Sequence, residues 1–191
     1  YPPVVNGNAY GNCWFVDSYV PAATPDEEIA LLASTDLRTT AVIGDDFAWA
    51  QEAVEAASGA MSESEPSITL AHYAPNELRY EYSTENEHAA IFSEIYYPKG
   101  WKAWIEPAGS YGEVREGHYH PTAEGRPIEL FRADWMLRGA IIPQGEGQLI
   151  MRFEPDSYQL GENISRASSI MLILLLLGSA AGAVVIGRRK E

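Results

Sequence analysis

Apolar and polar residues alternate in short runs over the middle and later parts of the chain. Leu78, Tyr80 and Tyr82, for example, are separated from one another by single polar residues. A period of two is typical of a strand with one buried face and one wet face. Such runs, bounded by turn residues, predict six or more strands: 67–73, 77–84, 88–97, 101–106, 128–132, 135–142 and 148–153. We therefore expect a mainly β protein with minor α, built as an antiparallel β-sandwich or barrel-like sheet pair.

Two stretches in this part of the chain differ from the simple alternation. The run 88–97 is almost continuously apolar, so we expect it to be covered on both faces. The stretch 107–127 carries four glycines and two histidines without a clear period, and is expected to be an irregular insertion in a hairpin.

The pattern of the first sixty residues predicts two further strands, 13–16 and 39–43, and two short helices. Thr24, Pro25 and Glu27 have the spacing of an N-cap, a first helical residue and the acidic end of a capping box. The first helix should therefore begin at Pro25 and fade near residue 34. Its apolar face is expected to be formed by residues 29, 31 and 32.

The second helix is predicted after an acidic pair, of which Asp45 or Asp46 would be the N-cap. Apolar residues at 47, 50, 54 and 57 fall on one face at helical spacing. The helix should end at residues 58–59, where Ser is followed by Gly.

The last part of the chain has a different pattern, because residues 167–187 contain no charge and are followed by Arg188, Arg189 and Lys190. Twenty-one helical residues span about 31 Å, close to the roughly 30 Å of a bilayer core. Ten of them are Leu, Ile or Val, which favours insertion. The pattern predicts a transmembrane helix whose basic end stays in the cytoplasm, which places residues 1–166 on the extracytoplasmic side.

These predictions divide the chain into five parts. They are an N-terminal α/β segment (1–60), the sandwich (61–160), a juxtamembrane linker (161–166), the transmembrane helix (167–187) and a basic tail (188–191). If residues 1–166 lie outside the membrane, a preceding segment must have carried them across it. We therefore expect the chain to be the C-terminal part of a longer polytopic protein. The alternative is a mature single-span chain from which a signal peptide was removed.

Charge narrows the classes of partner. The chain has 13 basic and 27 acidic side chains, and without residues 188–191 the balance is 10 against 26, close to −16. Such a surface repels nucleic acid and anionic headgroups, so a nucleic-acid partner is not expected. The single Cys13 cannot form an internal disulfide. No motif indicates a cofactor.

Candidate ligands for a metal lie in the insertion. His118 and His120 fall on one side of an extended segment, with glutamates at 113, 116 and 124 nearby. A structural zinc site needs four close ligands, so a histidine pair without a metal is the favoured interpretation. Acidic pairs such as Glu106 with Glu113, or residues 45 and 46, are common in so acidic a chain, and we expect no catalytic residue.

Aromatic residues in the predicted strands 88–97 and 101–106 could stack on sugar rings, although core packing is the more frequent role of aromatics in strands. Tyr96, Tyr97, Trp101 and Trp104 form this group. Alternation places Trp101 on the face of residues 103 and 105, and Trp104 on the opposite face with Lys102. Trp104, as an outward platform, and Tyr97 are therefore the candidate glycan-binding residues.

Four stretches and the terminal span occur in an order that resembles the C-terminal region of bacterial YfhO-type membrane proteins. The stretches are 6–16 (NGNAYGNCWFV), 91–105 (IFSEIYYPKGWKAWI), 131–139 (FRADWMLRG) and 142–155 (IPQGEGQLIMRFEP). The resemblance implies a polytopic protein similar to membrane glycosyltransferases that use lipid-linked sugar donors, and upstream transmembrane helices of the same chain as partners. The family's catalytic carboxylate lies upstream of Tyr1, so none is carried over. The insertion 107–127 replaces a tight turn of the relatives.

The leading hypothesis is thus a non-catalytic extracytoplasmic domain with the last transmembrane helix of a YfhO-like protein of the bacterial cytoplasmic membrane. Its pathway would be envelope polysaccharide or teichoic-acid-type glycosylation, and envelope glycan a possible ligand. The alternative is a membrane-anchored carbohydrate-binding or adhesion module without enzymatic activity.

Overall fold

The order of elements is that of a mainly β protein with minor α, as predicted. The computed structural model describes residues 9–57 and 63–188, the side chains of 156, 158–160 and 180–188 excepted. Two units are present, Tyr1–Glu154 and Pro155–Glu191. The elements are β1 (Cys13–Val16), β2 (Ser18–Ala22), α1 (Pro25–Leu32), β3 (Thr40–Gly44), α2 (Ala48–Ala57), β4 (Ser67–Ala74), β5 (Glu77–Thr84), β6 (His88–Ile95), β7 (Trp101–Pro107), β8 (Glu113–Arg115), β9 (His118–His120), β10 (Arg126–Ile128), β11 (Leu130–Ala133), β12 (Leu137–Ile142), β13 (Gly145–Phe153) and α3 (Asp156–Arg188).

Two antiparallel sheets face each other across a common core. One sheet has the order β10-β7-β13-β5-β4 and the other the order β1-β6-β12-β11. In the first sheet Leu149 pairs with Ile105 on one side and with Tyr80 on the other. These three side chains pack with Phe92 and Ile142 of the second sheet, and all five are buried. The expected antiparallel, sandwich-like arrangement is therefore present.

A third layer covers the outer face of the four-stranded sheet. β2 and β3 pair in parallel, connected through α1, and this parallel pair was not predicted. Ile43 of β3 and Val54 of α2 pack on Ile91 of β6, whereas the neighbouring Phe92 points into the core between the sheets. β6 is thus covered on both faces over residues 89–92, as its continuous apolar run predicts, whereas its last residue, Ile95, is exposed.

The start of α1 agrees with the sequence pattern, but its buried face does not. Thr24 Oγ1 accepts a hydrogen bond from the backbone N–H of Glu27 at 3.2 Å, and the Glu27 carboxylate accepts one from the backbone N–H of residue 23. Ile29, expected inside, is 45% exposed, and Glu28 is only 1% exposed. Glu28 is buried because its carboxylate binds the Arg132 guanidinium at 2.7 Å.

The cap predicted for the second helix is wrong. A 3-10 turn at residues 45–47 precedes α2, its N-cap is Gly44, and no side chain caps it. Asp46 instead binds Arg132 at 3.2 Å, and Asp45 accepts a hydrogen bond from Gln51. The face of α2 is as expected at residues 50 and 54, which are buried. The predicted stop at 58–59 lies outside the described residues.

The second unit contains the helix α3, which is continuous from Asp156 to Arg188 and includes residues 161–166. Among the residues with described side chains, no helix combines the length and the apolar character needed to cross a membrane. Residues 180–187 of the span predicted from the sequence lie outside this set, as does the basic tail, 188–191.

Candidate functional site

An aromatic groove of about 450 Å³ lies beside the edge where β10 pairs with β7. Its walls come from the turn before α2, the start of α2, the loop between β6 and β7, β7 itself, and residues 127–130. Elements far apart in the sequence thus supply one surface. Six rings line it: Phe47, Trp49, Tyr96, Tyr97, Trp101 and Trp104.

Two of these rings are open to solvent. Tyr97 is 50% exposed and Trp49 is 38% exposed. Tyr97 is held against Phe153, with 6.3 Å between ring centroids, and Trp49 stands edge-on to the buried Phe131 at 5.8 Å. Rings supported from behind and open in front can stack on a flat apolar face of a ligand.

Trp101 also lines the groove, and a buried cation contacts its ring. The Arg138 guanidinium lies 4.0 Å from the centre of the Trp101 ring, a cation–π contact. Arg138 is buried in the sandwich and donates to the carbonyl oxygen of Ile95 at 3.1 Å. Burial lowers the pKa of Arg138 from its ordinary value. A buried cation thus fixes one ring of the groove.

Trp104 is placed as alternation predicts but is not the outward platform that was expected. Ala103 and Ile105 enter the core between the sheets, and Trp104 lies on the other face of β7. There it is only 8% exposed, because Tyr119 of the insertion packs on it at 4.9 Å between ring centroids. Trp104 and Tyr97, the two candidates from the sequence, nevertheless line the same groove.

The insertion is folded, contrary to the expectation of an irregular segment. β8 and β9 form a small hairpin within it, and β10 adds to the edge of the five-stranded sheet. Glu106 of β7 anchors it: the carboxylate is fully buried and accepts hydrogen bonds from the Tyr119 hydroxyl at 2.8 Å and from the Thr122 N–H and hydroxyl at 3.0 and 2.5 Å. Burial raises the pKa of Tyr119, so this phenol stays a donor.

A second set of buried charges also fastens the insertion. Arg152 of β13 binds both Glu77 and Glu154. Glu154 also accepts a hydrogen bond from the Tyr119 backbone N–H at 2.6 Å, and its second oxygen lies 3.2 Å from His118 Nδ1. Opposite charges and hydrogen bonds thus satisfy these carboxylates, which is the usual condition for burying them.

The candidate metal ligands do not converge. His118 contacts Glu154, whereas His120 is exposed. Among the side chains that the structure describes, no three of His, Cys, Asp or Glu are grouped to hold a metal ion.

The proposed acid–base pairs are also occupied. Glu113 is bound to Arg115 at 2.5 Å, and this contact lowers the pKa of Glu113. Glu106 is enclosed by the insertion as described above, and the acidic residues at 45 and 46 contact Gln51 and Arg132.

Sequence reasoning missed the contributions of Phe47 and Trp49, because nothing in the local pattern brings α2 to the β6–β7 loop. It also missed a buried acidic side chain, Asp134. Asp134 accepts a hydrogen bond from the Val42 N–H at 2.8 Å, and burial raises the pKa of Asp134 to about 6.

Comparisons with protein families, with characterised proteins and with solved structures give no match.

Proposed function

We propose that this chain is a non-catalytic, membrane-anchored extracytoplasmic domain that binds envelope glycan in its aromatic groove. The observation that carries the proposal is the convergence of six aromatic rings on one open groove. Its volume of about 450 Å³ is within the roughly 300–1,000 Å³ of small-molecule sites. Sugar rings present apolar C–H faces, and exposed aromatic rings stack on such faces.

The charge of the groove supports a neutral sugar as ligand. The whole chain has a formal charge of −14, which disfavours anionic glycans by long-range repulsion. The groove itself contains one basic and one acidic residue, Lys102 and Glu129, besides its aromatic and apolar lining. A neutral hexose or N-acetylhexosamine therefore suits it better than an acidic sugar.

The buried carboxylates are bound to other side chains of the domain, and this supports the non-catalytic part of the proposal. Glu106 is enclosed under the insertion, and Glu77 and Glu154 are bound to Arg152. A glycosidase-type mechanism needs two carboxyl groups that reach one substrate bond. Within the described residues, each of these three groups has a structural partner instead.

Membrane anchoring and the link to a YfhO-like protein rest on the sequence. The uncharged run 167–187 with its basic end supports insertion with residues 1–166 outside the bacterial cytoplasmic membrane. In a YfhO-like parent, upstream helices would surround α3, and the domain would contribute to envelope polysaccharide or teichoic-acid-type glycosylation. The alternative, an anchored carbohydrate-binding or adhesion module, uses the same groove. The upstream gene sequence separates the two, since about ten further apolar spans favour the first and a lone signal peptide the second.

The groove is tested by calorimetric titration of the full chain in detergent with neutral hexose and N-acetylhexosamine oligosaccharides. Tyr97→Ala should weaken binding by about two- to twelve-fold, since an aromatic contact is worth about 0.5–1.5 kcal/mol. Tyr97→Phe should retain most of the affinity, because it keeps the ring. Tyr73→Ala is the matched control, a similarly exposed tyrosine (65%) that does not line the groove. Equal losses for the two alanine variants, or no binding by the wild type, would exclude this groove as the glycan site.

A further inference from the structure

One end of the sandwich carries a continuous patch of exposed apolar side chains, here called the apolar end. Its members are between 36% and 64% exposed. The backbone N–H of residue 96 donates to the carbonyl oxygen of Met136 at 2.8 Å, which joins the β6–β7 loop to the β11–β12 turn. Tyr97 in turn contacts Phe153, the last residue of β13. The apolar end consists of Ile95, Tyr97, Trp135, Met136 and Phe153.

The β11–β12 turn that displays Trp135 is held in an unfavourable backbone conformation. Asp134 and Trp135 have φ of 50° and 68°, in the left-handed region that bulky residues rarely adopt. The buried Glu28 carboxylate accepts a hydrogen bond from the Trp135 N–H at 3.0 Å, and Arg132 donates to the Trp135 carbonyl at 3.0 Å. A partly buried ion pair thus keeps a solvent-facing indole in place, and strain of this kind concentrates at functional positions.

We infer that the apolar end lies in the interfacial region of a zwitterionic lipid bilayer. Trp and Tyr are enriched at this depth because each combines an apolar ring with a polar group. Ile, Met and Phe supply the apolar area that such a contact buries. A soluble surface would more often carry such residues singly than in one patch.

The course of the chain favours a bilayer as the occupant. Phe153 belongs to the apolar end, and α3 begins three residues later at Asp156. Only residues 154–166 separate Phe153 from the uncharged run. A tether this short keeps the local concentration of the patch high at the membrane, so weak contacts suffice. The inference rests on the membrane anchoring in the proposed function.

Charge selects the type of lipid. The chain has a formal charge of −14, which disfavours a strongly anionic surface. The loop 96–100 in the apolar end has Lys99 as its one charged residue. Zwitterionic headgroups therefore suit this end better than anionic ones.

The test uses the full chain reconstituted in phosphatidylcholine vesicles with a polarity-sensitive fluorophore at Met136→Cys. Glu146→Cys is the control, because it lies at the other end of β13. Burial raises the pKa of the native Cys13 to about 11, so at pH 7 maleimide labels the introduced thiol preferentially. We expect blue-shifted emission at position 136 that lipids with headgroup-proximal quenchers reduce, and neither effect at position 146. Identical spectra at the two positions would overturn the inference.

A second measurement covers the case in which the labelled variant does not fold. Lipids brominated close to the headgroup should quench the intrinsic fluorescence of the wild type, and Trp135→Phe should lose most of that quenching. Trp49→Phe, outside the apolar end, should keep it. Equal quenching in the wild type and Trp135→Phe counts against the inference.

Flotation of the vesicles separates failure of the inference from failure of the proposed function. Chain that floats but shows no contact at positions 135 and 136 refutes only the lipid contact. Chain that does not float refutes the anchoring as well. Glycan binding by Trp49→Ala in detergent tests the groove separately, because Trp49 lines the groove and lies outside the apolar end.

Discussion

Replacing the buried Asp134 by Asn should change how stability depends on pH. One carboxylate oxygen of Asp134 accepts the Val42 N–H, and the other is buried without a hydrogen-bond partner. Burial, with the nearby Glu28 charge adding to it, raises the pKa of Asp134 from 3.8 to about 6. Asn keeps the acceptor for Val42 and also tolerates the left-handed backbone at this position, but cannot ionise.

The sign follows from proton linkage. Well below pH 3.8 the side chain is protonated in both states, so its titration contributes nothing. As the pH rises towards 6, the unfolded chain loses the proton and the folded chain retains it, so the folded state loses relative stability. The difference between the two pKa values, about 2 pH units, corresponds to about 3 kcal/mol, which is fully expressed above pH 6. The wild type should lose most of this amount between pH 4 and pH 7, and Asp134→Asn should not.

Urea unfolding of the full chain in detergent, followed by tryptophan fluorescence at pH 4, 5, 6 and 7, measures this difference. All five tryptophans lie between residues 14 and 135, so the signal reports on the first unit and not on α3. Asp36→Asn is the control, because that aspartate is exposed. If the unfolding free energies of wild type and Asp134→Asn run parallel from pH 4 to pH 7, the reasoning about burial is refuted.

Two glycine substitutions test the packing. Gly139→Ala should destabilise the first unit by about 1–3 kcal/mol, as overpacking does, because a Cβ there would overlap the buried Phe131 ring, 2.9 Å from Cδ2; an unchanged urea midpoint would contradict this. Gly125→Ala should loosen the insertion, because a Cβ would lie 2.6 Å from Cδ of Glu106. We expect faster amide hydrogen exchange confined to residues 111–122. Unchanged exchange in this segment would refute the prediction.

Local patterns were sufficient for much of the fold. Thr24 and Glu27 specify the start of α1 through hydrogen bonds within four residues, and the continuous apolar run of β6 predicts its burial on both faces. Errors occurred where a distant partner decided the outcome. Glu28 is buried because Arg132, more than a hundred residues away, neutralises it, and Asp46 binds the same arginine instead of capping a helix.

The sequence by itself determined the alternating strands, their antiparallel sheets, the two faces of β7 and an uncharged C-terminal run, because each depends on the order of neighbouring residues. Tertiary structure alone decided that the insertion folds over Trp104, and that α2 brings Trp49 to the same groove as Tyr97. It also decided that the exposed turn at Trp135 is held by hydrogen bonds to the ion pair of Glu28 and Arg132. These features depend on contacts between residues far apart in the chain, whose identity no local period encodes.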